Sequence, residues 1–360
     1  MSVITVLVIV FSMLAALDRI IGGRFGIGKE FEKGFLLLGN MALSVIGMIV
    51  IAPFIADIMS PIFDVFYNTF KIDPSIISAT LFANDMGGAA LSVEISRNNE
   101  IGMFNALVVS SMMGATMSFS IPYALGVVKR DIHRELFLGI LCGIVTIPIG
   151  CIVSGLILGL SFAVVIFNLL PLIVFAVVIM LGLLFVPNFC IKAFSVFEKI
   201  MRTVITIGLA VGVFEFLTGY EILPGITPIE EAADVCFNAA IVMSGTFPLI
   251  YIVSILLKKP LNKFGKLLKI NDVAATGFFS SIATNVTTFQ MMNDMDKKGV
   301  LLNAAFSVSG SFVFASHLAF TMAFNADYVP VMITGKLISG VFGLLLAVLL
   351  FKRLCVKESK

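Results

Sequence analysis

The sequence predicts an all-α polytopic membrane protein of about 9–11 transmembrane segments, built as an inverted repeat of five elements that each contain a re-entrant hairpin. Three observations predict it. The first is composition: 59% of the 360 residues are hydrophobic and 13% are charged, with a mean hydropathy of +1.09. A soluble chain is nearer half apolar and a quarter charged. The apolar content suffices for roughly ten spans of about 20 residues, which excludes a soluble enzyme, a nucleic-acid-binding protein and a disordered chain. The second is the placement of positive charge between apolar segments. The third is a pair of segments interrupted by polar residues at corresponding places in the two halves.

Apolar segments run over 2–21, 35–58, 75–96, 101–128, 135–160, 163–186, 201–219, 234–257, 272–293, 299–324 and 329–351. The first lacks the basic start of a signal peptide and reads as a retained span. Basic loops hold Arg19/Arg24/Lys29/Lys33, Lys129/Arg130/Arg134, Lys192/Lys199/Arg202, Lys258/Lys259/Lys263/Lys266/Lys269 and Lys352/Arg353/Lys357/Lys360. If every segment crossed, these loops would fall on both sides, against the tendency of positive residues to stay in the cytoplasm. If 75–96 and 272–293 enter and leave on the same side, all five fall inside, and the acidic stretch Glu221–Asp234 falls outside. These two segments also look broken, at Asn84-Asp85-Met86-Gly87-Gly88 and at Ser280-Ser281-Ile282-Ala283-Thr284-Asn285. Each leaves half-helices of about nine residues, reaching about 13 Å, near the bilayer midplane. The competing reading is two kinked spanning helices with weak charge rules.

The hairpins occupy equivalent places in a single transmembrane domain over 1–360: repeat 1 at 1–160, a linking span and loop at 161–199, and repeat 2 at 200–360. A shift of 198 residues maps Asn40 onto Asn238, Gly47 onto Gly245, Asn105 onto Asn303 and Ser118 onto Ser316. Identity between halves is otherwise near chance, so element order carries the repeat. Inverted repeats with broken helices mark secondary transporters that bind substrate near the midplane.

Asp85 is the leading candidate for chemistry. A carboxylate near mid-membrane costs several kcal/mol unless paired or hydrated. At a hairpin tip it would join the carbonyl ends of the half-helix before it in a small-cation site. Gly87 and Gly88 permit the turn and close backbone approach, and the next half-helix presents N–H donors. An N-cap is the plainer role for Asp85. Asn84 orients Asp85 or meets substrate. Ser281, Thr284, Asn285 and Thr287 offer the second hairpin's neutral polar groups, with helix–helix hydrogen bonding as their alternative role. Thr116, Ser118 and Ser120 on one span, and Ser309, Ser316 and His317 on its partner, complete the candidate cavity. Glu94 and Lys336 are candidates for charge coupling, Lys336 lying deep in its span, and His317 could relay protons. Asp18-Arg19 reads as an interfacial ion pair. Some of the 34 Phe residues could contribute cation–π contacts near Asp85. The five scattered cysteines suggest neither a disulfide framework nor a zinc site. No enzyme motif is present, so neither catalysis nor a cofactor is expected.

Asn84-Asp85-Met86-Gly87-Gly88, the run Gly143-Ile144-Val145-Thr146-Ile147-Pro148-Ile149-Gly150-Cys151, Leu223-Pro224-Gly225 and Gly335-Lys336-Leu337-Ile338 resemble the EutH family of ethanolamine permeases. The resemblance spans the chain, from Leu17-Asp18-Arg19-Ile20 to Met295-Asp296. It implies a multi-pass protein of the bacterial cytoplasmic membrane that brings ethanolamine into the cell for utilisation. It supplies no residue-level site. Protonated ethanolamine, a small cation with a hydroxyl two carbons away, fits the chemistry expected of the hairpin tips. Alternating access of a small amino alcohol is the favoured reading; a channel-like pore for ammonium or amines, or a sensor or structural membrane partner, are the alternatives. The expected partners are ethanolamine and the lipid bilayer, not nucleic acid, with a homo-oligomer and coupling to H⁺ or Na⁺ left open.

Overall fold

The structure, a computed structural model, describes residues 3–358, and every regular element among them is helical. Among the described residues, eight helical stretches are long and apolar enough to cross a membrane, which makes the chain a multi-pass membrane protein. The apolar segments read from the sequence each correspond to helix, with α1 at Val3–Ile20, α2 at Ile27–Leu36 and α3 at Leu38–Phe70 opening the chain. Asp18 does not pair with Arg19. Its carboxylate accepts from the backbone N–H of Phe25 and Gly28 at 2.8 and 2.9 Å, fixing the turn into α2, while Arg19 pairs with Glu32 at 2.6 Å.

The segment after α3 is two short helices, α4 (Ser75–Leu81) and α5 (Gly88–Ile95), around a tight turn at Asn84–Met86. Its two ends meet. The Asp73 carboxylate accepts from Ser75 N–H at the start and from Arg97 and Asn98 N–H at the finish, at 3.0, 2.9 and 2.9 Å.

A nearly fully buried helix follows, from α6 (Asn99–Phe104) to α7 (Ile121–Val127), through wide i→i+5 turns at Asn105–Gly114 and Thr116–Ser120. It is the centre of the molecule: Val108, Val109, Met112 and Met113 pack among Ile76, Ile144, Leu169 and Val308. Next come α8 (His133–Ile157), α9 (Phe162–Phe185), α10 (Pro187–Thr218) and α11 (Ile229–Leu268). The last two run past the apolar segments that predict them, so Lys192, Lys199, Arg202 and most of the Lys258–Lys269 run lie on helix ends, not in loops.

The second broken segment is α12 (Asp272–Ala283) and α13 (Asn285–Met291), joined at an extended Thr284 whose hydroxyl accepts from Val286 N–H. Its ends also meet: Asn271 N–H donates to the Asp296 carboxylate at 2.9 Å, and the Asn271 side chain donates to the Asp294 carbonyl. Asn98 and Asp296 each cap the helix that follows, and Asp73 and Asn271 each cap the half-helix that begins their segment. In both cases the paired positions are 198 residues apart.

α14 (Lys297–Gly310) ends in a break absent from the sequence expectation of one continuous span over 299–324. Phe312 takes a left-handed conformation (φ 61°), and Phe312 and Phe314 donate backbone bonds to the carbonyls of Ser281 and Ile282. The chain resumes as α15 (Ser316–Asn325) and α16 (Val329–Glu358). Close helix crossings use small residues, as in membrane bundles generally. A Cβ on Gly47 of α3 would lie 2.1 Å from the Ile205 carbonyl of α10, and one on Gly150 of α8 would lie 2.2 Å from the Gly335 carbonyl of α16.

Candidate functional site

The breaks of all three interrupted segments converge. At the first, Gly87 sits at φ 91°, and a Cβ there would overlap the Met48 side chain at 1.8 Å; a Cβ on Gly88 would lie 2.2 Å from the Phe82 carbonyl. Only glycine allows this turn in this place. The carbonyls closing α4 are engaged: Phe82 accepts from the Ser110 hydroxyl at 2.6 Å, and Ala83 accepts from Met86 and Gly88 N–H. The charge at the tip is therefore carried by the Asp85 side chain rather than by bare carbonyls. Ser118, on the central helix, holds the tip by accepting from Ala83 N–H at 3.1 Å.

The Asp85 carboxylate is 15% exposed, toward a cavity of about 880 Å³. The same cavity is lined by Thr284 and Thr287 at the second break and by Phe312, Ser316 and His317 at the third. It extends past Phe119, Tyr251 and Phe247 to Glu30 and Lys33 on α2. The lining combines the Asp85 carboxylate at the breaks, the Glu30 and Lys33 pair of charges at the mouth, a few hydroxyls and several aromatic faces. A small organic cation needs such a lining: a counter-charge, acceptors and donors for its polar end, and ring faces that favour positive charge.

Around Asp85 the polar groups form a chain. The Ser316 hydroxyl donates to its carboxylate. His317 Nε2 lies 3.6 Å from Asp85 Oδ1, and the other ring nitrogen, Nδ1, lies 3.0 Å from the ammonium of Lys336. Because the ammonium can only donate, Nδ1 accepts and Nε2 carries the ring proton toward Asp85. The ammonium also donates to the Ser111 carbonyl on the central helix. His317 and Lys336 are buried, so Lys336 turns inward rather than toward a lipid headgroup.

Other sequence candidates knit the frame around the cavity. Asn84 donates to Thr321 at 3.4 Å and Asn285 to Ser120 at 2.6 Å, and the side-chain oxygen of each asparagine is buried without a partner among the described residues. A shift of 201 residues relates the two bonds, taking Asn84 to Asn285 and Ser120 to Thr321. Ser281 joins Thr288 and Ser307, Thr116 donates to the Val308 carbonyl, and Ser309 meets Ser339 at 2.8 Å. Glu94 is exposed at the far end of α5, away from the cavity lining. Phe119 and Phe312 are, with Phe247 and Phe279, cavity residues that sequence reading left among 34 phenylalanines. Phe119 and Phe312 pack edge to face at 5.7 Å, and Phe312 also packs on the His317 ring at 5.0 Å. The Ser307-Val308-Ser309-Gly310-Ser311 run was the available signal for the break that places them.

A family model described as "Ethanolamine utilisation protein, EutH" matches residues 1–350. The chain belongs to the EutH family. Among its relatives, the probable ethanolamine permease EutH of Listeria monocytogenes is 42% identical over 357 residues, covering 99% of this chain and 96% of its own. The EutH of Salmonella typhimurium, also called a probable ethanolamine permease, is 37% identical and covers 97% and 95%. An uncharacterized protein of Bacillus subtilis, YxeR, is 36% identical over 92% of this chain and 90% of its own. No solved structure matches this EutH family member.

Proposed function

We propose that this protein is a permease carrying protonated ethanolamine across the bacterial cytoplasmic membrane by alternating access, rather than an enzyme. Its EutH relatives are named for that substrate. The observation that carries the reading is Asp85: a partly buried carboxylate at a helix break, facing an aromatic-lined cavity with Ser316, Thr284 and Thr287 within it. The carboxylate anchors the ammonium, the ring faces of Phe119 and Phe312 surround the positive charge, and the hydroxyls receive the alcohol.

The two broken segments act as re-entrant hairpins in an inverted repeat of 1–160 and 200–360, about the linking span and loop at 161–199. Four features support this. Each segment is closed at its base by a polar clamp, 73 to 97–98 and 271 to 296, which brings entry and exit together. The clamps keep a 198-residue spacing. The first base lies beside the Arg97–Asp64 pair, whereas the second lies near Lys129, Lys297 and Lys298 among the basic residues expected in the cytoplasm. Asn84 and Asn285 reach across to the other half. The cavity mouth at Glu30 and Lys33 then faces the cytoplasm, and this is the inward-open state.

Reconstitution into liposomes tests the proposal. Labelled ethanolamine uptake should saturate and should be accelerated by unlabelled ethanolamine inside. Linear uptake without such counter-flow would instead indicate a channel-like pore.

A further inference from the structure

We propose that Lys336 is an internal substitute for the substrate's ammonium, and that binding of the ethanolammonium cation at Asp85 releases one proton from Lys336 by way of His317. The inference rests on the ethanolamine-permease reading above and assigns its coupling ion.

The geometry carries it. Lys336 lies in the middle of the fold, 1% exposed, with its ammonium held by the Ser111 carbonyl and His317 Nδ1. His317 Nε2 points back to Asp85, 3.6 Å away, so a single imidazole separates the buried cation from the cavity carboxylate. The other elements packed on this chain face it with neutral groups: the Cys151 thiol from α8, the Ser316 hydroxyl from α15, and Thr321 beside Asn84. The nearest charged side chains lining the cavity beyond Asp85 are Glu30 and Lys33 at its mouth. With the cavity empty, Asp85 carboxylate and Lys336 ammonium cancel. Admitting a second cation without compensation would leave a net positive charge in a low-dielectric site, at an effective cost of several kcal/mol per uncompensated ion.

Proton transfer removes that cost. The Lys336 ammonium gives a proton to His317 Nδ1, His317 gives its Nε2 proton to Asp85, and the incoming ammonium displaces that proton into cavity water. The 3.6 Å gap is closed by a small ring rotation or one water. Lys336 is then a neutral amine accepting from His317 Nδ1–H, and Asp85 is again a carboxylate, now paired with substrate. The histidine has exchanged tautomers, one proton has left, and the site is neutral before and after. Substrate and proton become alternative occupants, so one ethanolammonium is exchanged for one H⁺.

The test is equilibrium binding of radiolabelled ethanolamine to the purified full-length protein across pH, with proton release followed in weakly buffered solution. The expected result is about one proton released per ethanolammonium bound, with apparent Kd falling tenfold per pH unit while Lys336 is protonated in the free protein. Lys336→Met should bind with no such slope and release no proton. Saturable binding to the intact protein with no proton release and a pH-independent Kd for the ammonium form would overturn the inference while leaving the permease reading intact. Undiminished release from a folded Lys336→Met protein would overturn it too. If that variant does not fold, the slope and stoichiometry of the intact protein decide. An intact protein that binds no ethanolamine at any pH would defeat the permease reading itself.

Discussion

Asp85 sits where three interrupted helices meet, and its surroundings separate two roles that sequence alone leaves together. As a plain helix cap it would spend its oxygens on backbone N–H groups, as Asp73 and Asp18 do. Beyond its own backbone N–H, it faces Ser316, His317 and the cavity. Ser316→Ala should therefore raise the apparent KM for ethanolamine roughly fivefold, the worth of about 1 kcal/mol in one hydrogen bond, read by uptake at matched expression. An unchanged KM would remove Ser316 from the site. At Gly87, alanine meets both a disfavoured φ and the Met48 side chain. That variant should lose several degrees of thermal stability in detergent, and a wild-type melting curve would contradict the strained-turn account.

The elements that position these residues are broken by chemistry that sequence partly exposes. Asn84-Asp85-Met86-Gly87-Gly88 was legible because adjacent glycines beside a carboxylate have no ordinary place in a membrane helix. The break at 311–315 was not, since Ser and Gly also occur in continuous packed helices and the bonds that hold it, to Ser281 and Ile282, come from 31 and 32 residues away in the chain. The hairpin account makes a topological prediction. In a background without native cysteines, Asp64→Cys and Asn99→Cys, flanking the first clamp, should both react with an impermeant thiol reagent from outside. Asp272→Cys and Lys297→Cys should both react only from inside. Labelling of the two members of either pair from opposite faces would favour kinked spanning helices. Asn98→Ala should cost about 1 kcal/mol through loss of the cap on α6, measured as a lowered melting temperature.

At the scale of the whole molecule, apolar composition and the spacing of the apolar segments made helical class, membrane location and the order of the helices readable in the sequence. The tips of the two broken segments bond to distant parts of the chain, through Asn84 to Thr321 and Asn285 to Ser120. What sequence could not assign was which polar residues face the cavity: Thr116, Ser281 and Ser309 have the same composition signal as Ser316 and Thr284, yet they join helices to one another. Sorting them requires the packing. The central claim is that a single carboxylate anchors a cationic substrate. Saturable uptake of labelled ethanolamine into acidic-buffer proteoliposomes, compared between the intact protein and Asp85→Asn, tests it most directly. The substitution keeps the side chain's size and removes its charge. It should reduce apparent affinity roughly ten- to hundredfold, for a charged hydrogen bond worth about 1.5–3 kcal/mol, with folding unaltered. Undiminished saturable uptake by a normally folded Asp85→Asn protein would contradict the claim.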